Sequence, residues 1–408
     1  MSGTRTAVPR NWLINRNYAL FMGGSFISAL GSWFQGVAIG WLVLDLTGSP
    51  FVLGLTNFML MAPLFFLGVA GGVLADRVER RRLLLGGLST SALALGLLAA
   101  LAMAGRASVG AILAISLVVG LTQAVVWPAW QPFIKDLVPA ERLPQAIAFN
   151  SARFNLTRVL GPALAGVLLA RIGAPACLAI AAGSSAGVIA ATWLIRPPER
   201  RRGHLTPWRS ALGEGVEYLR ADPVARLLLL LTGATGLVVL PYQAFLPAFA
   251  RDELQIGATG LGVLLAAVGV GAVFGALLSG TRLAARRPAL SMAAFSFASG
   301  AGLAAFALST PARGAPVWLA IAALALTGLG SIGYQTMANA TLQLRVPDAL
   351  IGRVMGVWVV VNAGVTPLGS LALGGVAERF GLPVVLFWCG VAGIAIAALL
   401  ARVRIPHA

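Results

Sequence analysis

The sequence predicts an all-α membrane protein in which twelve transmembrane helices form two pseudo-symmetric six-helix bundles. Three observations support this prediction. Of the 408 residues, 58% are hydrophobic and 11% are charged, and the mean hydropathy of +0.87 is too high for a water-soluble fold. Twelve apolar runs of membrane-spanning length are separated by polar segments. The second half of the chain repeats the first at a constant shift of 208 residues.

The first half of the chain holds six of these runs and is predicted to form a bundle over residues 1–195. Its polar start contains Arg5, Arg10 and Arg16. The apolar run that follows is too long for a signal-peptide core and lacks a cleavage site, so we expect an uncleaved first helix. The six helices are expected at about 18–44, 51–75, 83–104, 108–132, 146–170 and 174–195.

The polar stretch 196–222 is expected to link the two halves. Thr206 and Pro207 form a typical helix start, an N-cap followed by proline at the first helical position. Apolar residues then recur at helical spacing, which predicts a short amphipathic helix on the inner membrane surface; they are Trp208, Leu212, Val216 and Leu219. The second bundle, residues 223–408, is expected to have helices at about 223–249, 258–281, 289–309, 316–342, 353–377 and 382–401.

Charged residues predict the orientation in the membrane. The formal net charge is +17, but only one of the 30 cations is a lysine and most arginines stand in turns, which argues against nucleic-acid binding. Alternate polar segments hold 23 of the cations, so we expect both termini in the cytoplasm of an inner-membrane protein. Cys177 and Cys389 stand alone in separate apolar runs, and neither a disulfide, a metal nor a cofactor is expected.

The internal repeat relates the two halves residue by residue. Its register stays constant across six helices, which chance matches among Gly and Leu do not produce. Parallel halves related by an axis along the membrane normal are typical of transporters that bind their substrate between the halves. The matched pairs include Gln35 with Gln243, Asp45 with Glu253, Gly54 with Gly262, Gly72 with Gly280, Gly166 with Gly374 and Pro175 with Pro383.

The stretch GGVLADRVERRRLLL, residues 71–85, joins the second and third helices by a tight basic turn. One interpretation is a positive-inside hairpin of the kind that any polytopic protein carries. The stretch also resembles the loop between helices 2 and 3 of the major facilitator superfamily of transporters. The matching positions are Gly72, Asp76, Arg77, Arg80 and Arg81.

Further stretches resemble the branch of this superfamily that contains the enterobactin exporters and related drug and macrolide efflux proteins. They begin at Thr47 (TGSPFVLGL), Gly71, Leu137 (LVPAERLPQAIAFNSARF) and Val346 (VPDALIGRVMGVW), and the resemblance spans all twelve helices. Gly161, Pro162 and Gly166 resemble a helix 5 signature of proton-antiporting exporters, although Ala165 departs from it. The resemblance implies a secondary active exporter.

For the basic turn, the resemblance implies a cytoplasmic gate between the two halves. Asp76 would face the start of helix 11, whose positive dipole end suits a carboxylate. Arg77, Arg80 and Arg81 would add pairs with acidic residues or lipid phosphate, or would serve topology alone. The second copy of the motif has Ala284 in place of the acid.

Polar residues in the membrane-spanning helices must face the bundle interior, because exposure to lipid is costly. The resemblance implies that helices 1, 4, 7 and 10 line a central cavity, and these helices carry amides and aromatic residues. A substrate pathway and ordinary hydrogen bonding between helices are both open interpretations. The candidates are Gln35, Gln123, Trp127, Gln131, Tyr242, Gln243, Tyr334, Gln335 and Asn339, with Asn150, Asn155, Trp358 and Asn362 as weaker ones.

Arg158 lies deep in the fifth predicted helix, where snorkelling to the surface is difficult. No Asp or Glu stands at the centre of a predicted helix to neutralise it. Either carbonyls and amides satisfy this arginine, or it receives an anionic group of the substrate. Arg153 is shallower and is assigned no role.

Proton coupling has no obvious carrier, because His204 and His407 fall outside the predicted helices. Asp45 lies at an outer helix end, where it is either a turn residue or the coupling residue, and we select it as the candidate. The sequence thus predicts a monomeric, proton-driven exporter of a siderophore-like metabolite or an amphipathic drug. A sensor or assembly partner without flux and an importer are the alternatives, and no catalytic motif suggests an enzyme.

Overall fold

The computed structural model describes residues 16–195, 208–310, 314–348 and 350–402, and every regular element in these ranges is helical. Eleven segments are long and apolar enough to cross a membrane. One of them, α5, has 52 residues and crosses twice, which gives the twelve predicted crossings. The helices are α1 (Arg16–Thr47), α2 (Pro50–Arg77), α3 (Arg80–Met103), α4 (Val109–Leu137), α5 (Leu143–Leu194), α6 (Trp208–Ala221), α7 (Pro223–Ala234), α8 (Tyr242–Ala248), α9 (Gly257–Ser279), α10 (Arg282–Arg286), α11 (Pro288–Leu308), α12 (Val317–Arg345), α13 (Ile351–Phe380) and α14 (Leu382–Ala401).

The two crossings of α5 are separated by a kink at Gly173, where φ is 77° and ψ is 169°. A positive φ favours glycine, and Pro175 suits the start of the next helical turn. The sequence places its gap between the fifth and sixth predicted helices at this point, so the structure confirms that boundary.

The seventh crossing, Pro223–Glu253, is an irregular helix. It consists of α7, a π-helical turn (Thr235–Val239), α8 and a second π-helical turn (Phe249–Glu253). Turns of this kind recur at functional sites because they redirect side chains. Pro241 and Pro247 interrupt the apolar run here, but they do not specify the form of this irregularity, which surrounds Tyr242 and Gln243.

The helices pack within each half, and the two halves contact each other at two crossings that are copies of one another. Within the first half, α1 packs on α5 and α2 on α4; within the second, α9 packs on α12 and α11 on α14. Between the halves, α2 packs on α13 and α5 packs on α9. Gly54 approaches Gly374 at the first of these crossings, and Gly166 approaches Gly262 at the second. The repeat predicted from the sequence matches Gly54 with Gly262 and Gly166 with Gly374, so one crossing is the repeat copy of the other.

Buried apolar side chains form one shared core and two separate ones. The shared core contains residues of both halves and lies at the end of the molecule that carries the turns α1–α2, α3–α4 and α13–α14. We call this the shared end. At the opposite, arginine-rich end, which carries the turns α2–α3 and α9–α11, each half has its own core. Among the described residues, a core common to both halves is therefore present only at the shared end.

The linker helix α6 packs on the second half rather than lying apart from it. Leu219 is buried in the core of that half. The Tyr218 hydroxyl donates to the carbonyl oxygen of Arg345 at 3.1 Å, and Glu214 pairs with Arg353 in the first turn of α13. The predicted helix start at Thr206 and Pro207 lies outside the described residues.

Asp222 fastens the junction between α6 and α7. Its carboxylate accepts from the backbone N–H of Val224 at 2.9 Å and of Ala225 at 3.0 Å, and from Arg345 Nε at 2.6 Å. Burial acts to raise the pKa of this carboxyl, but the hydrogen bond from Ala225 and the Arg345 side chain outweigh it and hold the pKa below its usual value. The stabilisation from this group is therefore present at neutral pH and is lost as pH falls through the lowered pKa.

Candidate functional site

Arg158 lies where the two halves meet. A methyl group added at Gly269 of α9 would come within 2.7 Å of the carbonyl oxygen of Arg158, which places this turn of α5 directly against the second half. The Arg158 side chain is half-buried. No hydrogen bond or ion pair joins it to another residue in the described part of the chain. An arginine in this state lacks the compensation that a buried charge needs.

Tyr242, from the irregular seventh crossing, is the second polar residue at this position. Its side chain is 1% exposed and interacts electrostatically with the Arg158 guanidinium. Gln243 follows it and is exposed. The structure thus brings two predicted pathway residues from different halves together, with an amide beside them.

Arg153 is held in a different way. Its Nη1 donates to the carbonyl oxygen of Ser25 in α1 at 2.7 Å, and its Nη2 donates to Asn150 Oδ1 at 3.1 Å. These bonds tie α5 to α1 within the first half. They also engage Asn150, one of the weaker pathway candidates.

Gln35 and Gln123 do not lie at the meeting surface of the halves. Both line a small polar cavity inside the first half, between α1, α3, α4 and the second part of α5. Trp127, four residues further along α4, is 60% exposed. The side chain of Gln131 lies outside the described part of the structure.

Two of the three candidates on α12, Tyr334 and Asn339, have hydrogen-bond partners inside the second half. Tyr334 is fully buried, and its hydroxyl is 3.2 Å from that of Thr232. Asn339 Oδ1 accepts from Gln343 Nε2 one turn along the same helix, at 2.6 Å. Gln335 is half-buried. The Tyr334 contact is of the kind expected for ordinary hydrogen bonding between helices, the interpretation that stood beside a substrate pathway.

The arginines of the basic turn hold the first half together at the arginine-rich end. Arg80 is 8% exposed, and its Nη1 lies 2.9 Å from Asp136 Oδ2 in the last turn of α4. Arg81 Nε donates to the carbonyl oxygen of Thr192 at 2.9 Å, which fastens the end of α5. The sequence analysis did not select Asp136, and the only hint in the sequence was its place beside Lys135 at the same membrane level.

The other residues of the basic turn make no described contact that assigns them a role. Gly72 is half-buried and Arg77 is exposed at the end of α2, whereas the side chain of Asp76 lies outside the described part of the structure. In the second copy of the motif, Arg282, Arg286 and Arg287 are exposed, and their side chains form no hydrogen bond or ion pair with a described residue. Exposed arginines at a membrane boundary suit lipid head groups.

The glycines of the helix 5 motif allow close helix crossings. A methyl group at Gly161 would lie 2.2 Å from the Trp33 ring of α1, and one at Gly166 would lie 2.5 Å from the Cα of Gly262. Pro162 between them is buried. The motif therefore marks the place where α5 contacts both α1 and α9.

Polar bonds also connect the halves at the shared end. Asp45 Oδ1 is 3.3 Å from Arg251 Nη1, an ion pair between α1 and the end of the seventh crossing. Glu378, in the last turn of α13, accepts from Ser49 Oγ at 2.9 Å and from the backbone N–H of Phe51 at 3.1 Å. Glu378 thus satisfies the N-terminus of α2 from the other half. The sequence analysis named Asp45 but neither of these pairings.

Parallel six-helix halves related by an internal repeat are the architecture of transporters of the major facilitator superfamily. The chain belongs to the transmembrane secretion effector family, which matches residues 12–408. It is 30% identical over 378 residues to the enterobactin exporter EntS of Shigella boydii serotype 4, covering 90% of this chain and 88% of the relative. The corresponding protein of Escherichia coli O9:H4 is 31% identical over the same coverage.

Solved structures show the same fold at low sequence identity. The nucleoside transporter NupG aligns with a TM-score of 0.72 at 13% identity, covering 94% of this chain and 98% of its own. A bacterial homologue of the iron transporter ferroportin, in an inward-facing state, aligns with a TM-score of 0.71 at 17% identity, covering 95% and 97%. These similarities establish the fold, and substrate assignment requires other arguments.

Proposed function

We propose that this protein exports a small anionic metabolite of the siderophore type across the inner membrane by alternating access. The family membership supports export, and the relatives named enterobactin exporters support a siderophore-like substrate. Siderophores of the catecholate and carboxylate types present anionic oxygens. The required counterpart in the protein is a cation that is accessible between the halves.

Arg158 is the observation that carries this proposal. Its turn of α5 lies against the second half, its guanidinium interacts electrostatically with Tyr242, and no acidic residue in the described ranges pairs with it. A guanidinium offers a planar fork of donors that matches carboxylate geometry. An anionic group bound here would compensate this partly buried charge, which would favour substrate binding.

The arrangement of the cores supports alternating access. The halves share a core at one end and have separate cores at the arginine-rich end. With the arginine-rich end assigned to the cytoplasm by the positive-inside rule, this is a state closed toward the outside, with both termini in the cytoplasm. The proposed units are residues 1–195 and 223–408, connected by 196–222, and the proposed functional form is a monomer.

Closure at the cytoplasmic side would bring the basic turn toward the second half. In this proposal Asp76 faces the start of α13 in the opposite state, with Gly72 and Arg77 beside it. Arg80 and Arg81 would act indirectly, because their bonds to Asp136 and to the end of α5 fix the position of the turn.

Protons are the proposed coupling ions, and Asp45 is the proposed carrier. The support is its ion pair with Arg251, because protonation of Asp45 would remove a bond between the halves. Proton uptake by Asp45 would thus be coupled to opening of the shared end.

Export of amphipathic drugs is the second candidate function, and it is favoured by the largely exposed Trp127.

The deciding experiment is gradient-driven transport in proteoliposomes with a catecholate siderophore and a neutral macrolide as substrates. We expect siderophore transport that requires a pH gradient and falls at least about tenfold in Arg158→Gln, which corresponds to a lost charge-assisted interaction. The matched control is Arg171→Gln, an exposed arginine of the same helix. It should transport at the rate of the unchanged chain.

Three results would contradict the proposal. Equal siderophore transport by folded Arg158→Gln would remove the anion site. Transport of the macrolide alone, unaffected by Arg158→Gln, would establish the second candidate instead. Absence of flux for every substrate would favour the sensor or assembly partner.

A further inference from the structure

The polar cavity inside the first half is not explained by transport of a large metabolite. It has a volume of about 30 Å³ and lies within one half, away from the surface where the halves meet. Its polar lining comes from four helical segments and consists mainly of Ser28, Gln35, Ser91, Thr122, Gln123 and Ser185.

Several of these polar groups have no hydrogen-bond partner among the described residues. Gln35 is only 8% exposed, yet no hydrogen bond joins its amide to any residue of the described ranges. The same holds for the Gln123 amide and for the Ser91 and Ser185 hydroxyls, whereas Thr122 donates to the carbonyl oxygen of Val119 at 2.7 Å. Gln123, Ser91 and Ser185 are half-buried. Amides and hydroxyls that are withdrawn from bulk solvent without partners are costly, and native proteins satisfy them with protein groups or ordered water.

The repeat copy in the second half shows the alternative solution. The 208-residue shift matches Ser91 with Ser299 and Gln123 with Ser331. The Ser299 and Ser331 hydroxyls bond each other directly at 3.0 Å.

The space is also filled differently in the two halves. Phe295 and Tyr334, both buried, stand at the positions of Gly87 and Val126 in the first half. The first half therefore has smaller side chains, more hydrogen-bonding groups and a cavity where the second half is packed and directly bonded.

We propose that this cavity is a hydration site that holds ordered water as a permanent part of the first half. A water molecule needs at least about 10–15 Å³ of such space, so the cavity has room for about two. The described lining residues include hydroxyls and amides but no charged side chain, and this lining suits a neutral ligand that both donates and accepts. Gln35 and Gln123 then act as water ligands that bridge α1 and α4 to α3 and α5.

This site distinguishes the mechanics of the two halves. Water-mediated bonds are nearly as favourable as direct ones and can be exchanged, whereas the serine pair of the second half is fixed. The inference concerns the first half alone and does not depend on the substrate or on Arg158.

Hydroxyl-radical footprinting of the full chain in lipid nanodiscs tests the proposal, because radiolysis of bound water oxidises adjacent side chains that bulk radicals do not reach. Leu95 lines the cavity and is 3% exposed, and its repeat counterpart Leu303 is 0% exposed. We expect Leu95 to be oxidised severalfold faster than Leu303. A bulk radical scavenger should leave the Leu95 rate unchanged but suppress oxidation of the exposed Leu283 on α10.

Two variants locate the effect. Gln123→Met replaces an amide by an apolar group of similar size and should lower the Leu95 rate toward that of Leu303. Ser331→Ala, the repeat-related control, should leave the Leu95 rate unchanged. Equal slow oxidation of Leu95 and Leu303 in the unchanged chain would show a dry cavity and overturn the proposal, whether or not the variants fold.

Discussion

Arg153 and Arg158, five positions apart on α5, differ in their partners: Arg153 is hydrogen-bonded, and Arg158 is the proposed anion-binding arginine. Arg153 donates to a backbone carbonyl and a side-chain amide, so its charge is satisfied inside the first half. Arg158 faces the other half with Tyr242 as its neighbour. The partner, rather than the depth in the membrane, determines which arginine remains available to an anion.

The ion pair between Arg80 and Asp136 is expected to stabilise the fold of the first half, and substitution of Asp136 tests this. Because Arg80 is largely buried, Asp136→Asn should remove the carboxylate charge that faces its guanidinium and lower the free energy of unfolding by about 2 kcal/mol. The effect should be smaller than for a fully buried pair, since Asp136 is 24% exposed. Thermal unfolding in detergent measures the effect.

The neighbouring ion pair Arg82–Glu79 is the matched control, with side chains 80% and 44% exposed. Glu79→Gln should cost at most about 1 kcal/mol, because exposed pairs contribute little. The double variant Arg80→Met with Asp136→Leu should recover most of the lost stability. Equal unfolding temperatures for Asp136→Asn and Glu79→Gln would contradict a structural role for the Arg80 pair.

At the same scale, the sequence could predict that polar side chains avoid lipid but not which interior they face. Gln35 and Gln123 satisfy that rule equally well in a cavity of one half and in a cleft between halves. The choice depends on the rotation of α1 and α4 about their axes, which is set by packing on α3 and α5. Arg158 was selected from the sequence because no acid stands near its level in any predicted helix, and its role in binding an anion stays a prediction.

Among the elements, the glycine crossings of α5 with α9 and of α2 with α13 control how closely the halves approach. Gly166→Ala should destabilise the fold and reduce transport, because the added methyl group would lie 2.5 Å from the Cα of Gly262 and must push α5 from α9. Backbone atoms cannot yield as a flexible side chain can. Unfolding temperature and initial transport rate measure the two effects.

Gly183→Ala, on the same helix, is the control because nothing lies within 4 Å of a methyl group there. It should be neutral or stabilising by up to about 1 kcal/mol, since alanine favours helix over glycine. Gly374→Ala, at the repeat copy of the crossing, should behave as Gly166→Ala does. If Gly166→Ala matches Gly183→Ala in stability and rate, the crossing does not limit the approach of the halves.

Most elements could be predicted from apolar run length, turn residues and the repeat, including the break of α5 at Gly173. The π-helical turns of the seventh crossing could not be predicted. Pro241 and Pro247 stand in an otherwise continuous apolar run, and several backbone conformations are compatible with that sequence. The docking of α6 on α13 depends on Glu214, Tyr218 and Arg353, which are distant in sequence. Charge patterning predicts a surface helix but does not identify its neighbour.

For the whole molecule, a few polar bonds hold the two halves together at the shared end, in addition to the shared core. Asp45 pairs with Arg251, and Glu378 satisfies the start of α2. Neither pairing could be read from the sequence, because each joins residues of different halves whose relative placement only the fold defines. Weakening these bonds should favour opening of that end.

Asp45→Asn tests whether one of these bonds is linked to proton-driven transport. The asparagine side chain cannot lose or gain a proton and does not form the ion pair with Arg251. Transport driven by an imposed pH gradient should therefore fall about tenfold, while exchange of substrate across the membrane without a gradient should continue. Asp252→Asn is the matched control, because Asp252 Oδ1 lies 3.6 Å from Arg251 Nε but belongs to the same half, so its loss breaks no bond between halves. It should retain gradient-driven transport. If Asp45→Asn and Asp252→Asn both transported at the rate of the unchanged chain, Asp45 would be a turn residue only, and the proton carrier would have to be sought elsewhere.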